Sequence, residues 1–421
     1  MDSPSAGSTY SDSVRAESVP SSGSSRWLLL LAAVLIVGAN MRVTISVVGP
    51  LLEQIGADTG LSPAALGVLG AMPVFSFAVV APFVHVMGAR FGAERTVLYS
   101  LLALALGTVV RSLVPHEMAL YAGTLILAGA IGVLNVLLPA VIREDFPGRV
   151  PLVTGLFTGA LSLCAALSAA MAVPAAERIG WELTMAAGSV LALMGAGVWV
   201  LRPGTERRAS RAGHEAEPVS PTTTASPSSP RTAMWRHRIA WHVTIFFGTQ
   251  SLLFFLMLTW FPAIQTYHGY TPGEAGLWSG VHQGIGIVAS LLLGPLMQRS
   301  RDHRAIGVLV PALMVLGLVG IIFLPGLMPV WAVACGFSSG ASLLISLTLI
   351  SVRVRHSEDT GRLSGMAQGV GYLFAATGPV VAGWIFEQAE SWIPVLWMAV
   401  GIAVLQGVSG WAAGRHRHIE G

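Results

Sequence analysis

Lysine is absent from this 421-residue chain, and charge of any kind is scarce: Asp, Glu, Lys and Arg together make up 11% of it. Soluble domains carry about 25%. All the fixed positive charge is arginine, so the formal balance of +3 does not by itself point to nucleic acid, and none is expected as a partner. Cysteine is nearly missing too. Cys164 and Cys335 both fall in apolar runs, where a thiol behaves as a small hydrophobe, so neither a disulfide framework nor a metal site is expected. No Gly-rich phosphate loop, metal-ligand spacing or nucleophile elbow occurs, and no cofactor is expected. Acids are lacking where they would matter most. Every Asp and Glu falls in a tail, a loop or the end of an apolar run, leaving no carboxylate inside a run to carry a proton.

What the chain does have is hydrocarbon. Hydrophobic residues make up 53% of it, in runs long enough to cross a bilayer, which implies an all-α polytopic membrane protein. The first run, Trp27 to Pro50, is too long for a signal-peptide core and lacks a small-residue cleavage site, so it reads as an uncleaved span. Further runs at about 63–88, 95–114, 118–142, 151–174 and 183–201 complete six. Residues 202–238, including PVSPTTTASPSSPR, cannot bury a core and read as a flexible linker. Six more runs follow at about 239–267, 273–298, 305–325, 329–352, 362–387 and 392–413. The expected organisation is a disordered tail (1–26), a six-helix bundle (27–201), the linker (202–238), a second bundle (239–413) and a short tail (414–421).

Twelve spans put both ends on one side. Of the 24 arginines, 21 lie in tails or even-numbered loops, and only Arg42, Arg111 and Arg178 lie elsewhere. By the positive-inside rule both termini and the linker are cytoplasmic, with the plasma membrane the expected location and a monomer the expected state. The halves also repeat. LSPAALG at 61–67 matches YTPGEAG at 270–276, each with a hydroxyl N-cap followed by Pro at the first helical position. At the same offset of 209, Arg90 meets Arg299 and Arg95 meets Arg304; at 210, Asn40 meets Gln250 and Gly155 meets Gly365. Parallel repeats of six spans are two bundles related by an axis along the membrane normal.

Arg42 is the first candidate for a binding group. An arginine at the bilayer centre costs about 2.5–3.5 kcal/mol on insertion scales and needs water, a partner or a ligand to receive it. Its one-turn neighbours Gly38, Ser46 and Gly49 form a small, polar stripe suited to an aqueous cavity, although a guanidinium can also snorkel outward or bond a backbone carbonyl. Asn40 lies about 160° around the helix, so both face one cavity only if the helix is distorted; otherwise Asn40 bonds a neighbouring helix. Thr154, Thr158 and Ser162 in span five match Ser364, Gln368 and Tyr372 in span eleven, two polar stripes that either line a shared cavity or glue helices. Gln283 with Ser279 and Ser290, Gln250 and Trp260 among the phenylalanines of span seven, and the lone amide Asn135 are further candidates, each also compatible with core packing. His85 and His282 are more often structural than relays. Arg111, near the outer end of span three, is expected to snorkel.

With its linker between two six-span halves and RFGAER between spans two and three, the chain resembles the major facilitator superfamily. GANMRVTISVVGPLL, GVLNVLLPAVIREDFPGRVPLVTGLFTGAL, WHVTIFFGTQSLLFFLMLTWFPAI and SGMAQGVGYLFAATGP are similar to the cyanate porter branch, which includes cyanate and 2-nitroimidazole transporters. The resemblance runs from about Trp27 to Gly414. It implies a rocker-switch carrier with spans one, four, seven and ten around a central site. Asn40, Arg42, Asn135 and Gln250 then lie on cavity helices and Gln283 and Gln368 on adjacent ones, while Arg90, Gly92 and Arg95 form the gating loop. Ala89 stands where the superfamily usually has Asp and cannot supply the usual charge contact between halves; the Gly-Pro antiporter signature is absent from span five. The expected function is secondary transport of a small polar or anionic solute. Export of neutral nitroheteroaromatic compounds is the alternative, favoured by Phe254, Trp260 and Tyr372. A membrane enzyme would need paired acids or metal ligands; Glu144-Asp145 and Glu358-Asp359 sit beside arginines in short loops and read as solvated charge.

Overall fold

A computed structural model of the chain describes residues 22–202, 234–299, 302–354 and 357–415. Most of the expected tails and linker, with the side chains of Glu358, Asp359 and His85, lie outside what is described.

The described residues are helical almost throughout. The first span is α1 (Ser22–Ser46) and α2 (Val48–Thr59), nearly continuous across Val47 and beginning inside the stretch expected to be a tail. The second is α3 (Pro63–Val80) and α4 (Val84–Phe91), joined by a 3-10 turn at Ala81–Phe83 where Pro82 interrupts the ladder. Then come α5 (Ala93–Leu113), α6 (Glu117–Asp145) and α7 (Val150–Leu201). Gly180 breaks α7 into two arms at φ 82°, ψ 157°, a backbone region essentially reserved for glycine. Spans five and six are these two arms. The second half holds α8 (Arg238–Tyr267), α9 (Pro272–Arg299), α10 (Arg304–Phe323), α11 (Met328–Val352), α12 (Ser357–Ala389) and α13 (Ile393–Ala413). Among the described residues, eleven helices are long and apolar enough to cross a membrane, and the bend in α7 makes twelve crossing segments of them.

The helix starts at the repeat follow capping chemistry. Ser62, extended at φ −67°, accepts the Ala65 N–H at 3.4 Å. Its counterpart Thr271 forms a full capping box: the Thr271 N–H donates to Glu274 Oε2 at 2.9 Å, and the Glu274 N–H donates to Thr271 Oγ1 at 3.3 Å.

Within the first half α1 packs on α7 and α5 on α6; within the second, α8 packs on α12, α9 on α11 and α10 on α13. The halves meet through α3 against α12, α7 against α9 and α2 against α8. Large side chains on the outer faces, among them Phe83, Leu291 and Leu309, are exposed, as hydrocarbon contact requires.

The seam between halves is tight at the arginine-poor end. A Cβ on Gly49 would strike the Leu258 carbonyl, one on Gly67 the Pro379 carbonyl and one on Gly383 the Pro63 carbonyl. Hydrogen bonds across the seam add to this: Thr266 Oγ1 donates to Glu53 Oε1 at 2.5 Å and the Ala64 N–H to Glu387 Oε2 at 3.3 Å. Toward the arginine-rich end, a Cβ on Gly155, Gly294, Gly365 or Gly369 would meet nothing within 4 Å. The seam is shut at one end and loose at the other.

Candidate functional site

Arg42 projects from α1 into the seam rather than into lipid. Half-buried, its guanidinium lies 5.7 Å from the centre of the Phe254 ring on α8, within cation–π range, and near enough to Tyr372 on α12 for the two to interact electrostatically. The Tyr372 ring meets Phe247 at 5.2 Å and Phe77 of α3 at 6.2 Å, both edge-on; Phe255 meets Phe77 at 6.4 Å and Phe254 at 5.2 Å. Five aromatic rings from both halves therefore form one connected collar, with the Arg42 guanidinium against its Phe254 edge. No ion pair among the described residues involves Arg42.

One turn further along α1, the Ser46 hydroxyl donates to Gln283 Oε1 of α9 at 2.7 Å, a bond between halves beside the collar. Gln283 Nε2 reaches the Ser279 carbonyl at 3.5 Å, so its amide is held at both ends. Gln250 stands one turn before Phe254 on α8, buried, accepting the Ser251 hydroxyl at 3.1 Å. Gln368 stands one turn before Tyr372 on α12 and donates to Ser364 Oγ at 2.7 Å. Thr158, on the first arm of α7, is exposed and donates to the Thr154 carbonyl at 2.8 Å; Asn135 on α6 is exposed as well.

Two candidates are placed elsewhere. Asn40 is fully buried and donates to the Ile36 carbonyl at 2.8 Å and, across to the second arm of α7, to the Leu191 carbonyl at 3.1 Å. The helix is not distorted enough to bring it round to Arg42. Trp260 lies six residues beyond Phe254, about 9 Å along the axis. Its Nε1 donates to the Pro379 carbonyl at 2.8 Å, and its ring packs on Trp392, which stacks on Phe386 at 4.3 Å. His282 is buried against Phe261 with its ring centre 5.4 Å away.

In the RFGAER loop, Gly92 links α4 and α5 at φ 80°, ψ 151°, while Arg90 and Arg95 are exposed, Arg90 lying 5.5 Å from the Phe91 ring centre. The buried charge contact of this region corrects the reading of Asp145 as solvated charge: its side chain is 11% exposed, because the end of α7 brings Arg202 onto it. Arg202, over the Trp199 ring at 4.0 Å, pairs with Glu94 at 2.5 Å and Asp145 at 3.0 Å, tying the ends of α5, α6 and α7 together. At the matching end of the second half Arg353 donates to the carbonyls of Ala413 at 2.8 Å and Gly414 at 3.0 Å; burial pulls its pKa down, and Asp302 opposes the shift. The sequence signal for Arg202 was only that an arginine closes an apolar run.

Arg111 corrects an expectation. It does not snorkel: it is 2% exposed and turns inward, donating to the Thr44 carbonyl of α1 at 3.0 Å. At the outer end of span three it enters the bundle because the neighbouring α1 turn offers a carbonyl in reach.

A seam between two packed helical halves, shut at one end and loose at the other, suits a carrier that opens by parting them. Residues 30–358 match the Major Facilitator Superfamily, and the chain belongs to that family. It is 33% identical to a 2-nitroimidazole transporter of Escherichia coli (strain K12) over 95% of this chain and 98% of that one. It is 29% identical to the cyanate transport protein CynX of the same organism, over 84% and 89%. Among solved structures, a bacterial homologue of the lysosomal transporter Spinster, inward-facing and occupied, superposes with a TM-score of 0.75 at 13% identity, covering 93% of this chain and 97% of that one. A D-xylose–proton symporter gives 0.71 at 15%, covering 93% and 98%. The chain is thus a multi-pass transporter of a small solute, similar to cyanate-porter proteins.

Proposed function

We propose that this transporter carries a small polar or anionic, cyanate-like solute across the plasma membrane by alternating access between two six-helix bundles, 27–201 and 239–413. The observation that carries the reading is the Arg42 guanidinium, in the seam between halves with no carboxylate partner. A planar fork of N–H donors in such a place selects an anion, and apolar aromatic surroundings strengthen that attraction. Gln250 orients the solute, Gln283 and Gln368 exchange their Ser46 and Ser364 bonds for it, and Tyr372 closes over it. Asn135 and Thr158 line the approach. Asn40 and Trp260 spend their donors on carbonyls and act as helix ties. With the arginine-rich face cytoplasmic, the described state is the inward-facing one. Among the described residues no carboxylate pairs with Arg42, which supports coupling without a buried acid.

Uptake of radiolabelled cyanate into proteoliposomes tests this. Arg42→Gln removes the charge and keeps hydrogen bonding, and uptake should fall at least a hundredfold, the scale of a lost buried charge-assisted contact of about 3 kcal/mol. Unchanged uptake would remove Arg42 from the mechanism. The second reading, export of a neutral nitroheteroaromatic compound, is supported by the five-ring collar and by the 2-nitroimidazole relative. It predicts that cells expressing the protein tolerate 2-nitroimidazole better and that Arg42→Gln leaves this protection intact.

A further inference from the structure

Arg111 presents a second buried guanidinium, and the anion reading of Arg42 does not account for it. Of its nitrogens only Nη1 is engaged, on the Thr44 carbonyl; Nε and Nη2 are buried with no hydrogen-bond partner. No ion pair among the described residues reaches it. Asp58, Glu117 and Glu182 line a vestibule of about 440 Å³ on its outer side, but Asp58 is taken by Trp181 Nε1 at 2.7 Å.

On its inner side Arg111 and Ile45 of α1 line a small, partly enclosed cavity of about 20 Å³, room for about one water. The other walls come from α2 and α3, from Thr124 and Leu127 of α6, and from Leu258 and Thr259 of α8. Those last two residues belong to the other half. They press on Gly49 and Gly70, the tight part of the seam. Parting the halves at this end withdraws Leu258 and Thr259, and the cavity then opens onto the pathway with Arg111 in its wall. Thr44, which Arg111 holds, follows Arg42 by two residues, about 3 Å along the axis.

We propose that Arg111 is an anion-binding station of the outward-open state, taking a small anion from the outer side before it reaches Arg42. In the closed state two of its nitrogens have no partner from the protein among the described residues; an anion admitted to the opened cavity supplies one. The anion therefore binds one state far better than the other, and its presence outside drives the carrier toward outward opening. At ten times its dissociation constant, a ligand that binds one state alone shifts the equilibrium about elevenfold. This rests on the anion reading for the identity of the ligand but not on the role of Arg42.

The test reads opening rather than transport. Thr259→Cys places a thiol at the seam, and its labelling from outside by a membrane-impermeant cationic methanethiosulfonate reports outward opening, with the unsubstituted protein as baseline. Replacing external gluconate by cyanate, nitrate or chloride should speed labelling several-fold, up to about tenfold. Adding Arg111→Gln should abolish the acceleration. Adding Arg111→Lys should reduce it more for cyanate and nitrate than for chloride, because an ammonium lacks the paired planar donors. No acceleration with any of the three anions overturns the proposal, as does the same acceleration with Arg111→Gln. If Arg111→Gln does not reach the membrane, the lysine variant decides: equal loss for all three anions overturns it. Acceleration that depends on Arg111 while Arg42→Gln transports normally would leave this station standing and remove the role given to Arg42.

Discussion

Gly49 gives the sharpest handle on alternating access. Its Cα faces the backbone of α8 so closely that an added methyl would overlap the Leu258 carbonyl oxygen, and a backbone atom cannot rotate away. Gly49→Ala should therefore force the seam apart at the arginine-poor end. Overpacking of this kind costs about 1–3 kcal/mol, but only in the state where α2 and α8 touch. The open state is spared, so the whole penalty appears as a shift between states of about 5- to 150-fold. Gly155→Ala is the internal control, because a Cβ there meets nothing within 4 Å. In the labelling assay with Thr259→Cys, Gly49→Ala should raise the rate at least about fivefold and depress net uptake, while Gly155→Ala changes neither. Equal effects of the two substitutions, or a Gly49→Ala protein as closed as the parent, would refute the argument that glycine contacts set the closed end.

Arg202→Gln removes the guanidinium that Glu94 and Asp145 share, and a broken buried pair costs about 3–5 kcal/mol; discounted for the 11–12% exposure of the two acids, a loss of about 2–3 kcal/mol should lower the melting temperature of the purified protein. The same substitution at exposed Arg95 should leave melting unchanged. Glu274 accepts from the backbone N–H and the hydroxyl of Thr271 and so helps cap the start of α9. Glu274→Ala removes both bonds and should lower the melting temperature, while Glu274→Gln, which keeps an acceptor, should lower it less.

The polar stripes were legible as a pattern, but their partners were not. Ser364, Gln368 and Tyr372 fall at one-turn spacing in any reading, yet only the packing of α12 on α8 and α3 puts Tyr372 between Phe77 and Phe247. Trp260 read as a stacking platform for a solute because it follows Phe254 and Met257; the fold gives its ring to Trp392 instead. Helix position set Arg42, deep in span one, apart from Arg111, near the end of span three and expected to snorkel. For Arg111 position misled, since the direction of a guanidinium depends on which neighbour offers a carbonyl, and Thr44 of α1 offers one inward.

The chain by itself determined the crossing segments, the twofold repeat and the side of the arginines, because hydrocarbon thickness, capping and charge cost act on each segment alone. Which residues meet across the seam, which end is shut and which arginines lack partners were decided only by tertiary structure. Those properties depend on contacts between helices more than a hundred residues apart, where one missing methyl at Gly49 or Gly67 sets how closely two backbones approach.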